Sequence, residues 1–81
     1  MKLNNKCKVI FDEDGALIFN PQTHSVISYN QTGTEILKLI KKGYKKDKIV
    51  KELSKLYKVG EKILTEDLND FLLEQKKLKV I

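Results

Sequence analysis

The stretch Val26-Ile27-Ser28-Tyr29-Asn30-Gln31-Thr32-Gly33-Thr34-Glu35-Ile36-Leu37 decides the fold, because its residue pattern changes in the middle. Up to Tyr29 the residues are β-branched, small or aromatic, the composition of a short strand. Beyond it Ile36, Leu37 and Ile40 recur at the spacing of one helical face. Asn30 stands at the change. Its side-chain oxygen can accept from an orphan backbone N–H of the first turn, so a helix is predicted from Gln31 to Lys42. Gly33 is read as permitting close backbone approach, and Gly43 as the C-terminal stop.

Working outward, Lys8 to Phe11 and Ala16 to Asn20 are short runs rich in Val, Ile, Leu and Phe. Between them Asp12-Glu13-Asp14-Gly15 reads as a tight hairpin turn whose Asp-Gly pair takes positive φ. Asn20-Pro21-Gln22-Thr23 has the chemistry of a second turn, since Asn bonds its own backbone and Pro presets φ. Val26 to Tyr29 then forms a third strand of an antiparallel meander.

In the other direction, a second helix is predicted over Lys46 to Tyr57. Ile49, Val50, Leu53, Leu56 and Tyr57 mark its apolar face, and the opposite face is nearly all lysine. After Lys58-Val59-Gly60, a third helix from Glu61 to Lys76 buries Leu64, Leu68, Phe71 and Leu72. Leu78 to Ile81 is either a short strand or an apolar tail over the core. The expected fold is α+β: a three-stranded antiparallel sheet packed on a three-helix unit like a winged helix-turn-helix.

Composition bounds the function. Apolar residues make up 41% and charged residues 33%, which suits a globular domain and not a disordered tail. One domain over residues 1–81 is expected, too small for a deep catalytic cleft. Cys7 is the only cysteine, so neither an intrachain disulfide nor a cysteine zinc set can form. It reads as an ordinary thiol beside a frayed terminus in a reducing compartment. With no apolar run of membrane length and no secretory signal, the chain is expected to be cytoplasmic, without a membrane partner.

The junction Ile27-Ser28-Tyr29-Asn30-Gln31-Thr32-Gly33, with Glu35-Ile36-Leu37 behind it, resembles the strand-to-helix junction of the PqqD-like family, the RiPP recognition elements. Ile49-Val50-Lys51-Glu52-Leu53 with Leu56-Tyr57, and Glu66-Asp67-Leu68-Asn69-Asp70-Phe71-Leu72, are similar to that family's second and third helices. The resemblance covers residues 8 to 81. It departs at Lys42-Gly43, where Asp-Gly is usual, and at Lys77-Leu78, where Gly-Leu is usual.

The resemblance implies a module that binds the leader segment of a ribosomally made precursor peptide. It would present that leader to a separate modifying enzyme or leader peptidase, as in lasso-peptide or radical-enzyme pathways. It also implies that the leader adds as a strand beside Val26, Ile27, Ser28 and Tyr29 and packs against Leu64, Asp67, Leu68, Phe71 and Leu72. The physics agrees: an edge strand offers unpaired backbone groups for affinity, while alternate side-chain pockets select. Val26 to Tyr29 contains no lysine or proline to block pairing. The same bare edge would let two copies of the chain pair as a homodimer.

The competing class is a DNA-binding winged-helix transcriptional regulator, since the chain carries a net +5. The charge lies in the wrong place. From Glu61 to Gln75 the acids Glu61, Glu66, Asp67, Asp70 and Glu74 face one base, Lys62, which leaves the segment that would have to serve as recognition helix at −4 and repels phosphates. The bases gather instead at Lys41, Lys42, Lys45, Lys46, Lys48, Lys51, Lys55 and Lys58, with no arginine for bidentate phosphate contacts. A solvated face is the simplest account of them, and an acidic leader or partner enzyme the alternative; no nucleic-acid partner is expected.

Catalysis has no constellation. His24 is the only histidine and falls in a turn, Asp12, Glu13 and Asp14 lack the later ligands of a calcium loop, and the glycines form no phosphate loop. No enzyme activity, metal or cofactor is expected.

Overall fold

The computed structural model describes residues 1–81. Its elements are β1 (Lys8–Phe11), β2 (Ala16–Asn20), β3 (Ser25–Tyr29), α1 (Gln31–Lys41), α2 (Lys46–Tyr57) and α3 (Glu61–Lys77). The strands pair antiparallel in the order β1-β2-β3, so β1 and β3 are both edges. The sequence boundaries hold to within a residue.

Turn chemistry sets the sheet, although the first turn works differently from its expectation. Neither Asp14 nor Gly15 has positive φ. Instead Asp12 Oδ1 accepts from the N–H groups of Asp14 and Gly15, both at 2.8 Å. Gly15 is required for another reason: a Cβ there would overlap the carbonyl oxygen of Tyr29 on the neighbouring strand. In the second turn Asn20 Oδ1 accepts from the Gln22 N–H at 2.9 Å, and His24 takes the left-handed conformation at φ 57°.

The helix ends follow the same logic. Asn30 Oδ1 accepts from the Gly33 N–H at 2.8 Å, which caps α1 as its sequence implies. At the far end Gly43, at φ 88°, lets its own N–H reach the Ile40 carbonyl and Tyr44 reach that of Leu39. The end of α3 repeats this motif with a lysine in place of glycine. Lys79, at φ 60°, bonds to the Lys76 carbonyl, and Val80 bonds to that of Gln75.

That reversal turns the C-terminal residues into a tail over the core, not a strand. Val80 is fully buried, and Asn20, also buried, donates to the carbonyls of Leu78 and Lys79 at 3.2 Å. Asn4 holds the tail from the other side, through its N–H to the Val80 carbonyl at 2.7 Å and its side chain to that of Lys79. The N-terminus is therefore tied down, contrary to the frayed end expected around Cys7. Burial pushes the Cys7 thiol up, away from thiolate reactivity.

The core has two parts. Ala16, Ile18, Leu37 and Val80 form the part against the sheet. Ile36, Ile40, Ile49, Val50, Leu53, Leu64, Leu68 and Leu72 form the part among the helices. Leu56 and Tyr57 do not join it as their spacing predicts: they sit on the last turn of α2, exposed, just before the chain reverses through residues 58–60. No helix is long and apolar enough to cross a membrane.

Candidate peptide-binding groove

The hydrogen bond from the Asp12 N–H to the Gly15 carbonyl fixes the phase of the sheet. Ladder bonds alternate along an antiparallel strand, so with the observed register Ala16, Ile18 and Asn20 exchange bonds with Tyr29, Ile27 and Ser25. The backbone groups of Val26 and Ser28 then point outward. No backbone hydrogen bond outside the regular elements involves either residue.

Beside this edge lies a groove of about 320 Å³ between β3, the first turn of α1, and one face of α3. Its apolar lining is Ile27, Tyr29, Ile36, Leu53, Leu64, Phe71 and Leu78, and its polar lining includes Ser28, Asn30, Thr32, Asp67, Glu74 and Gln75. Tyr29 and Phe71 meet edge to face, with ring centroids 6.2 Å apart and planes at 63°. The Tyr29 hydroxyl donates to Oε1 of buried Gln75, tying β3 to α3. Burial, helped by the nearby Cys7 and Glu74, pushes the Tyr29 phenol up to about 12. A methyl group added at Gly33 would stand 3.4 Å from both rings and from Asn30 Oδ1, at the near limit of ordinary contact, so close approach does not demand glycine there.

Of the residues expected at the site, Ile27, Tyr29, Leu64, Asp67 and Phe71 come together in the groove, and Ser28, whose side chain shares the far face with Leu17, borders it from the strand edge. Three do not line it. Leu68 and Leu72 face the helical core, at 1% and 8% exposure, because α2 and α3 need that stripe to pack. The Val26 side chain lies on the far face of the sheet beside Ile10, Leu17 and Phe19, since strand side chains alternate; only its backbone reaches the edge. Sequence reasoning missed Glu74 and Gln75. Both stand on the face set by Leu64, Asp67 and Phe71 at spacings of three and four, and Gln75 continues the buried stripe of Leu68 and Leu72.

The charged residues divide as the sequence indicates. Glu61, Glu66, Asp67, Asp70 and Glu74 are all exposed on α3, which makes it a poor reader of a phosphate backbone. In the first turn, Asp12 spends its carboxylate on the two backbone N–H groups.

The profile of the family Coenzyme PQQ synthesis protein D (PqqD) matches residues 15–81. The chain belongs to the PqqD family. Among solved structures, it is similar to TbiB1 in complex with the TbiA(beta) leader peptide. The two share 22% identity at a TM-score of 0.95, over 99% of this chain and 93% of that one. At that identity the likeness speaks for the fold, and it extends to the β1 and N-terminal residues that the family profile leaves out. No curated protein matches the chain.

Proposed function

We propose that this PqqD family member is a binding module that holds the leader segment of a ribosomally made precursor peptide for a separate modifying enzyme or leader peptidase. The observation that carries this reading is the unpaired outward edge of β3, at Val26 and Ser28, lying directly beside the apolar groove wall of Leu64 and Phe71. An extended peptide laid there gains main-chain bonds from the edge and side-chain burial from the groove in one step. Family membership supports the reading, as does the leader peptide bound to TbiB1.

The test is titration of synthetic leaders, cut from short reading frames beside the gene, against the wild-type chain and Phe71→Asp. Circular dichroism is recorded on both proteins. The reading expects saturable binding by the wild type and a large loss in a variant that keeps its helical spectrum. Unchanged affinity in a folded Phe71→Asp protein would reject the groove. Leu64→Glu probes the deeper wall in the same way.

A further inference from the structure

We infer that the groove is built for a leader with basic side chains on either side of an apolar anchor, in the pattern basic-x-apolar-x-basic. This inference rests on the leader-binding reading and adds the chemistry of the occupant. Phe71 lies on α3 between two acids of the same groove-facing stripe, Asp67 one turn before it and Glu74 one turn after. Both acids are exposed at the groove, and neither has a cation of its own: in a chain with 16 basic residues, the one ion pair joins Lys38 to Glu35 on α1. No lysine lines the groove. The net +5 of the whole chain is felt weakly there, because exposed charges beyond about 8 Å are largely screened at physiological salt.

The spacing selects the pattern. Asp67 and Glu74 are seven residues apart on a helix, about 10.5 Å at 1.5 Å per residue. Side chains on one face of a strand recur every second residue, about 6.7 Å apart, so positions i and i+4 are separated by about 13 Å. Long lysine or arginine side chains absorb the difference of about 3 Å by leaning inward. Position i+2 then falls over Phe71 and Tyr29, where an apolar residue is buried and a charged one is not tolerated. The intervening x positions point out of the groove and are unconstrained.

The test is selection of a phage-displayed library of random 12-residue peptides on the immobilised wild-type chain, on Asp67→Asn/Glu74→Gln, and on Asp67→Lys/Glu74→Lys. All three proteins are checked by circular dichroism. Selected peptides are then resynthesised for amide-exchange mapping and for salt titration. The expected result is basic-x-apolar-x-basic enrichment on the wild type, its loss on the neutral variant, and acidic residues at the same positions on the reversed variant. Each acid is expected to contribute up to about fivefold in affinity, diminishing with salt. Peptides that protect the β3 edge but show no charge preference, or a preference the variants leave unchanged, overturn this inference and leave leader binding standing. Selected peptides that protect neither β3 nor α3 overturn both.

Discussion

β1 and β3 are both edge strands, and both turn backbone groups outward: Val9 and Phe11 on one side, Val26 and Ser28 on the other. Their surroundings differ. β1 carries Lys8, and its last residue, Phe11, lies beneath the ammonium groups of Lys38 and Lys41, 5.8 and 5.6 Å from the ring centroid. Charge of that kind discourages a further strand from pairing. β3 carries no charged residue and opens onto the groove of Leu64 and Phe71. Unpaired donors and acceptors occur at every sheet edge. An edge becomes a peptide site when an apolar wall stands beside it to reward the incoming side chains.

The widest separation between the two edges should come from Phe71→Asp. It removes the aromatic anchor of the β3 groove and leaves β1 untouched, so leader affinity should fall by at least about 30-fold, the cost of losing a hot spot of about 2 kcal/mol. Isothermal titration measures this, with circular dichroism to confirm that the helices persist.

Gly15→Ala sharpens the comparison from the side of the fold. The added methyl group must displace the Tyr29 carbonyl and so disturbs the β2–β3 junction, while the β1–β2 ladder has no such contact. A loss of about 1–3 kcal/mol in chemical denaturation is expected, whereas Gly33→Ala should be neutral or stabilising by up to about 1 kcal/mol.

A smaller effect is expected from removing one backbone donor. In a chemically synthesised chain, an ester in place of the amide at Ser28 deletes an outward N–H of β3, and an ester at Val9 deletes its counterpart on β1. One hydrogen bond contributes about 0.5–1.5 kcal/mol. The Ser28 ester should therefore weaken leader binding a few-fold to about tenfold, and the Val9 ester should not change it.

A further effect concerns pH. The Tyr29 phenol is raised from 10.0 to about 12 in the folded chain, chiefly by burial. Its neutral form is favoured by folding, so this contribution to stability is complete below pH 10 and disappears as pH climbs toward 12. Denaturation of the wild type and Tyr29→Phe should show a stability gap that is widest near neutrality and narrows across that alkaline window.

The order of elements was legible because each boundary carries a local signal: Asn30 caps, Gly43 stops, and the apolar spacing changes at one point. Less legible were features that depend on distant partners. Nothing local announces that Gly15 is constrained by the Tyr29 carbonyl, or that Asn20 holds the carbonyls of Leu78 and Lys79 nearly 60 positions away. Within the site, periodicity picked out the apolar residues of α3 but could not divide them between core and groove. Leu68 and Leu72 belong to the first and Leu64 and Phe71 border the second, a division set by where α2 lies. Gln75 escaped because a polar residue at a buried position is explained only by its partner, and that partner is Tyr29.

Residue-resolved amide exchange, with and without a saturating leader peptide, addresses strand addition at β3 most directly. The account predicts that the N–H groups of Val26 and Ser28 slow markedly on binding while those of Val9 and Phe11 keep their rates. Slowing at Val9 and Phe11, or a bound peptide that leaves Val26 and Ser28 exchanging as before, would contradict it.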